Sequence, residues 1–174
     1  MIWLSNSTLA RLRDQLLETG GRPSSFGTSP EALAPQIQLE YAPLCEAMYL
    51  MMAADGEISG EERDVLRGAL RNLSGSTLRT VDIEALLALA IRNVEAQGRD
   101  ARLSAVAAEL SQDRAKAEVA FVLAAAIAFA DNAIADDENE TLSSLAGAMG
   151  INEDRAEALL DEVERDLAAE SRGT

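Results

Sequence analysis

Residues 44–62 read LCEAMYLMMAADGEISGEE, and residues 120–138 read AFVLAAAIAFADNAIADDE. The second stretch is the first displaced by 76 positions. In both, an apolar run closes on Ala-Asp (Ala54-Asp55 and Ala130-Asp131). An isoleucine stands three residues after each Asp (Ile58, Ile134), and a glutamate seven after it (Glu62, Glu138). Leucine coincidences are cheap in an Ala/Leu-rich chain, but this mixed polar and apolar pattern is not. Downstream, Leu66, Ala69, Leu70 and Leu73 fall on Leu142, Leu145, Ala146 and Met149. After a three-residue gap, Glu84-Ala85-Leu86-Leu87, Arg92 and Ala96 fall on Glu157-Ala158-Leu159-Leu160, Arg165 and Ala169. The pattern reads as an internal duplication of a three-helix unit, over about residues 43–97 and 119–170, joined by a helix at 99–110.

A helix that is apolar nearly all round has no face for water and must be surrounded by other helices. Segments 44–54 and 119–130 are both of this kind, and alanines 124, 125, 126 and 128 permit close approach. The expected fold is therefore all-α, a duplicated bundle with two pseudo-twofold-related repeats and these two helices at its centre. Composition agrees: 48% of residues are hydrophobic and only 3% aromatic, so helix formers dominate and strand formers are scarce. Upstream, Leu9, Leu12, Leu16 and Leu17 mark a short amphipathic helix over 8–19, followed by a Gly/Ser/Pro-rich connector at 20–30. Residues 1–30 are accordingly expected to be an appendage and 31–174 the helical domain. Pro35 and Pro43 are expected to divide the chain ahead of residue 44 into a short helix or turn and then a new helix.

Composition also excludes chemistry. The 174 residues carry 15 Lys+Arg, 30 Asp+Glu and no histidine, a formal charge of −15. Without imidazole there is no Ser-His-Asp or Cys-His machinery and no histidine metal ligand. A single cysteine, Cys45, makes neither an intramolecular disulfide nor a thiolate zinc cluster. A metal would have to be a hard ion held by oxygen. The pI of about 4.3 argues against nucleic acid and against adsorption on an anionic leaflet. The longest apolar run, 119–130, is about half the ~20 residues that span a bilayer, so no direct membrane insertion is expected. The start of the chain shows no signal-peptide pattern, and a cytoplasmic protein is expected.

The elbows hold the candidate site. Gly56 suits a left-handed helix stop, and Asn132 is its commonest substitute. Ile58 and Ile134 plug the core where the chain reverses. Ser59-Gly60-Glu61-Glu62 is a capping box, whereas the second copy has Ala135 in place of the serine, so Asp136 is expected to cap one residue later. Asp55 and Asp131 end apolar helices, where the macrodipole disfavours a carboxylate by a few tenths of a kcal/mol. Residue physics leaves two readings for them: an Asp that bonds its own turn amides, or a ligand. An EF-hand is excluded. With Gly56 at loop position 6, positions 1 and 3 fall on Met51 and Ala53, and in the second copy on Ile127 and Phe129.

A buried helix ending in Ala-Asp-Gly, then x-Ile-x-x-x-Glu opening an amphipathic helix, repeated some 75 residues later, resembles the TerB family of tellurite-resistance proteins. The resemblance covers about residues 39–170. It implies a duplicated helical fold and a divalent-metal site, Ca²⁺ or Mg²⁺, made by Asp55, Glu62, Asp131 and Glu138. It also implies protein partners at the inner face of the membrane, in tellurite, metal or envelope stress, because related domains occur in membrane-anchored J-domain co-chaperones. Asn132 and Ala135 depart from the family pattern.

Other features have plain readings. Cys45 sits in an apolar helix as a small buried hydrophobe, and Met48, Met51 and Met52 fill the core. Asp161, Glu162, Glu164 and Asp166 form the outer face of the last helix. Trp3 is an anchor or a docking residue. Two functions of different class remain open: an ion-binding module that recruits partners, and a metal-free interaction scaffold whose acids only cap helices. A carboxylate-pair enzyme needs a polar pocket that the sequence does not advertise, so no enzyme and no catalytic residue are expected.

Overall fold

Segment 44–52 has almost no side fit for water, and every residue from 43 to 52 is buried. The structure, a computed structural model, describes residues 10–14, 30–54, 58–74, 78–129 and 136–172. Among these, the chain forms eight helical stretches and no strand. They are α1 (10–14), α2 (Pro30–Met52), α3 (Gly60–Leu73), α4 (Thr80–Gln97), α5 (Arg99–Leu110), α6 (Arg114–Ala128), α7 (Asp136–Ala148) and α8 (Glu153–Arg172). No helix among the described residues is long and apolar enough to cross a membrane.

The centre is α2 packed on α6, as the all-round apolar pattern required. Residues 117–128 of α6 are all buried, with Phe121 and Leu123 sealed from solvent. The remaining helices sheathe this pair. Helices α3, α4 and α5 lie against α2, and α3, α5, α7 and α8 lie against α6. Each buries one stripe and leaves the other wet. In α3, for example, Val65, Leu66, Ala69, Leu70 and Leu73 are buried while Glu61 and Arg71 face water.

The expected break at the prolines does not occur. Helix α2 runs unbroken through Pro35 and Pro43. Each proline removes one intrahelical hydrogen bond, at about 3 kcal/mol. Burying Leu44, Met48, Leu50, Met51 and Met52, each sealed in the core, returns roughly 1.5–3 kcal/mol apiece and outweighs that loss. The connecting helix at 99–110 has its expected bounds. Between α4 and α5 the chain turns on Gly98, whose φ of +87° suits glycine and few other residues. Between α7 and α8, Gly150 at φ +75° closes a Schellman stop, with Ile151 N–H donating to Ala146 O at 2.9 Å. Asn152 then accepts from Arg155 N–H at 2.8 Å and starts α8.

The short stretch α1 joins the core. Leu12 is 3% exposed, and Arg11 Nη2 donates to Glu162 Oε2 at 2.8 Å. The rest of the helix expected over 8–19, the connector up to residue 29, and Trp3 lie outside the described residues.

Candidate functional site

The first elbow ends in the expected capping box. Ser59, extended at φ −77° and ψ 157°, accepts from Glu62 N–H at 3.1 Å through its hydroxyl. The Glu62 carboxylate in turn accepts from Ser59 N–H at 2.7 Å. These two bonds satisfy amides that would otherwise be orphaned at the start of α3. Ile58 packs partly buried against the core, as a plug should.

Glu62 is the third residue of α3 and Glu138 the third of α7. Both are buried, at 3% and 6% exposure, and both helices lie against α6. Asp136 is not the residue before α7 but its first helical residue, which corrects the expected cap. Helical register explains it: starting at Asp136 puts Glu138, rather than a later acid, at the position Glu62 occupies in α3. Asp55 and Asp131 lie outside the described residues, as do Gly56, Asn132, Ile134 and Ala135. Among the described residues no group of three or more His, Cys, Asp or Glu side chains is placed to hold a metal.

The end of α2 and the start of α7 nevertheless meet. A cleft of about 300 Å³ is lined by Ala54, Arg99, Asp100, Asp137, Glu140 and Thr141, among others. Ala54 immediately precedes Asp55, and Asp137 immediately precedes Glu138. An Arg99 terminal N–H donates to the Thr141 hydroxyl, which donates to Asp137 O at 2.8 Å. Arg99 Nε is buried with no hydrogen-bond partner among the described residues. The cleft therefore gathers three carboxylates, Asp100, Asp137 and Glu140, beside one guanidinium, and neither Glu62 nor Glu138 is among its lining residues.

A family model described as "Tellurite resistance protein TerB" matches residues 43–162, about two thirds of the chain. The chain belongs to the TerB family. The TerB match spans both elbows and both buried glutamates and leaves α1 outside. No curated protein and no solved structure matches the chain.

Two further buried carboxylates of this TerB chain belong to no motif that the sequence displays. On α2, Glu46 takes two bonds from Arg102 of α5, at 2.6 and 2.8 Å, with Asn93 at 3.4 Å. On α6, Glu118 takes two from Arg155 of α8, at 3.0 and 2.9 Å, with Arg114 at 3.5 Å. Each clasp fixes an outer helix to a central one. The hydrogen bonds from Arg155 hold the Glu118 carboxyl below its ordinary range despite burial, and Glu46 raises Arg102. Their one signal in the sequence is a lone acid within, or at the mouth of, an otherwise apolar helix. Cys45 is fully buried, and its thiol is pushed up to about 12, chiefly by burial, with the charges of Glu46 and Glu84 adding. It is protonated at neutral pH and is no nucleophile.

Proposed function

We propose that this TerB protein is a helical binding module that holds a divalent ion, Ca²⁺ or Mg²⁺, between its two elbows and recruits protein partners. The observation that carries the reading is the shared cleft: Ala54 and Asp137 line one cavity, so the chain entering the first elbow and the chain leaving the second approach one place. Asp55, Glu62, Asp131 and Glu138 would supply the oxygens. A bound ion would offset the mutual repulsion of acids gathered there and tie the two halves together. We read α2–α4 and α6–α8 as two copies of one unit linked by α5. The matched burial of Glu62 and Glu138 supports that duplication. The setting that fits is cytoplasmic, in tellurite, metal or envelope stress, with partners at the membrane's inner face reached through protein contacts. The module is not read as an enzyme.

One observation favours a metal-free scaffold instead: the capping box accounts for Glu62 without any ion. Calorimetric titration of the chelator-stripped chain with Ca²⁺, Mg²⁺ and Zn²⁺ separates the two. The ion reading expects saturable binding of a hard ion that disappears in Asp55→Asn with Asp131→Asn. No heat at millimolar ion leaves the scaffold.

A further inference from the structure

The sequence of residues 8–19 places leucines at helical spacing, yet this arm lies outside the TerB match and is joined to it by a Gly/Ser/Pro-rich connector. A tethered arm of that composition has no need to pack on the domain, but α1 does. Leu12 is as buried as a core residue and joins the core cluster. It sits beside a small cavity of about 130 Å³ between α6 and α8, whose apolar wall is Val122 and Leu159. Glu162 on α8 lines that groove and takes the Arg11 ion pair, and the Glu118–Arg155 clasp lines it as well. The arm thus uses one leucine for an apolar pocket and one neighbouring arginine for an acid that lines it. The groove's own charges favour such a ligand: on the domain side Glu118 is held by Arg155, which leaves Glu162 as the acid that meets the arm's Arg11. A basic, leucine-bearing helix is drawn to this face and an acidic one repelled.

We propose that the α6–α8 groove is a docking site for a short amphipathic helix of a partner protein bearing an Arg-Leu pair, and that the chain's own arm is a resident competitor displaced on recruitment. This deepens the partner-recruiting half of the function above and is independent of its ion-binding half. A Gly/Ser/Pro-rich connector of the length of 20–30 gives a tethered arm an effective concentration on the order of millimolar. A free helix that binds the open groove with a Kd of tens of micromolar is therefore weakened about tenfold or more by the arm. Releasing the arm returns that factor.

The test uses the full chain, in chelator so that the ion plays no part. A fluorescently labelled peptide of residues 8–19 is titrated against the wild type and against Leu12→Asp. The peptide is expected to bind Leu12→Asp about tenfold or more tightly than wild type. Adding Glu162→Arg to that variant should abolish binding, and a peptide carrying Arg11→Glu should restore it. Should Leu12→Asp fail to fold by circular dichroism, the milder Leu12→Ala, which empties the same pocket without adding a charge, releases the arm in its place. Equal affinity for wild type and released chain, no binding to a folded released chain, or no rescue by charge exchange overturns the proposal. Doubling of the wild-type mass in light scattering at the same concentrations overturns it too, by assigning the groove to a second copy's arm. Any of these failures leaves the ion titration to stand or fall separately.

Discussion

The two elbows lead into helices of the same build but not of the same chemistry. Glu62 of α3 is buried with its reciprocal serine, and the box accounts for its place. Glu138 of α7 is buried to nearly the same degree, although the residue before α7 is Ala135, which has no hydroxyl to complete a box. In a capping box the glutamate accepts from the backbone N–H of the cap residue, a donor that alanine carries as well as serine; only the hydroxyl's own bond is lost. The burial of Glu138 therefore does not depend on a serine ahead of α7. The contrast teaches that the missing hydroxyl bears on how firmly α7 starts and not on whether its third-residue glutamate is buried.

A buried carboxylate that loses its partner sets the scale for this contrast, and the Glu46–Arg102 clasp supplies the case. Arg102→Ala leaves Glu46 buried on the central helix without its two charged bonds. The expected loss is about 3–5 kcal/mol in urea unfolding, the largest of these effects. Arg155→Ala should cost less, because Arg155 is 40% exposed and Arg114 remains beside Glu118. Its sharper signature is in pH. The folded-state carboxyl of Glu118 lies below its ordinary value near 4.5, so its stabilisation is whole above that pH and is lost as pH falls through the depressed value. Acid melts of wild type should therefore steepen below about pH 4.5, and Arg155→Ala should flatten that limb.

Smaller changes act on the elbows themselves. Ser59→Ala removes the hydroxyl that Glu62 N–H uses and should cost about 1 kcal/mol. Ala135→Ser offers α7 the missing half of a box and should stabilise by up to about 1 kcal/mol in chemical denaturation. An unchanged midpoint for both would mean that the serine is irrelevant in either elbow, and the contrast between them would collapse.

Much of this architecture is legible in the amino-acid sequence, and the failures have physical causes. Segments 44–52 and 119–128 declare themselves central because no face is polar, and α5 declares its ends through Gly98 and the Ser111-Gln112-Asp113 turn. The prolines mislead because their penalty is local and visible, while the burial that overrides it is spread over partners far along the chain. The same distance hides the clasps: Arg102 lies 56 residues from Glu46, and Arg155 lies 37 from Glu118, with no periodicity to pair them. At the site, the seven-residue spacing from Asp to Glu singles out Glu62 and Glu138, and both prove buried. The cleft shared by Ala54 and Asp137 has no such signature, since it depends on how α2, α5 and α7 cross. The docking of Leu12 is equally silent, because a lone leucine in a short amphipathic helix does not name the groove it fills.

The most direct measurement is the thermal melt of the chelator-stripped chain across a series of Ca²⁺ and Mg²⁺ concentrations, beside Asp55→Asn with Asp131→Asn. An ion held between the elbows binds the folded chain only. The melting temperature of wild type should then climb with ion, equivalent to about 2.7 kcal/mol at a hundredfold excess over Kd, while the double variant stays flat. A wild-type melt that does not move at millimolar ion, or one that moves equally in the double variant, would contradict an elbow-held ion.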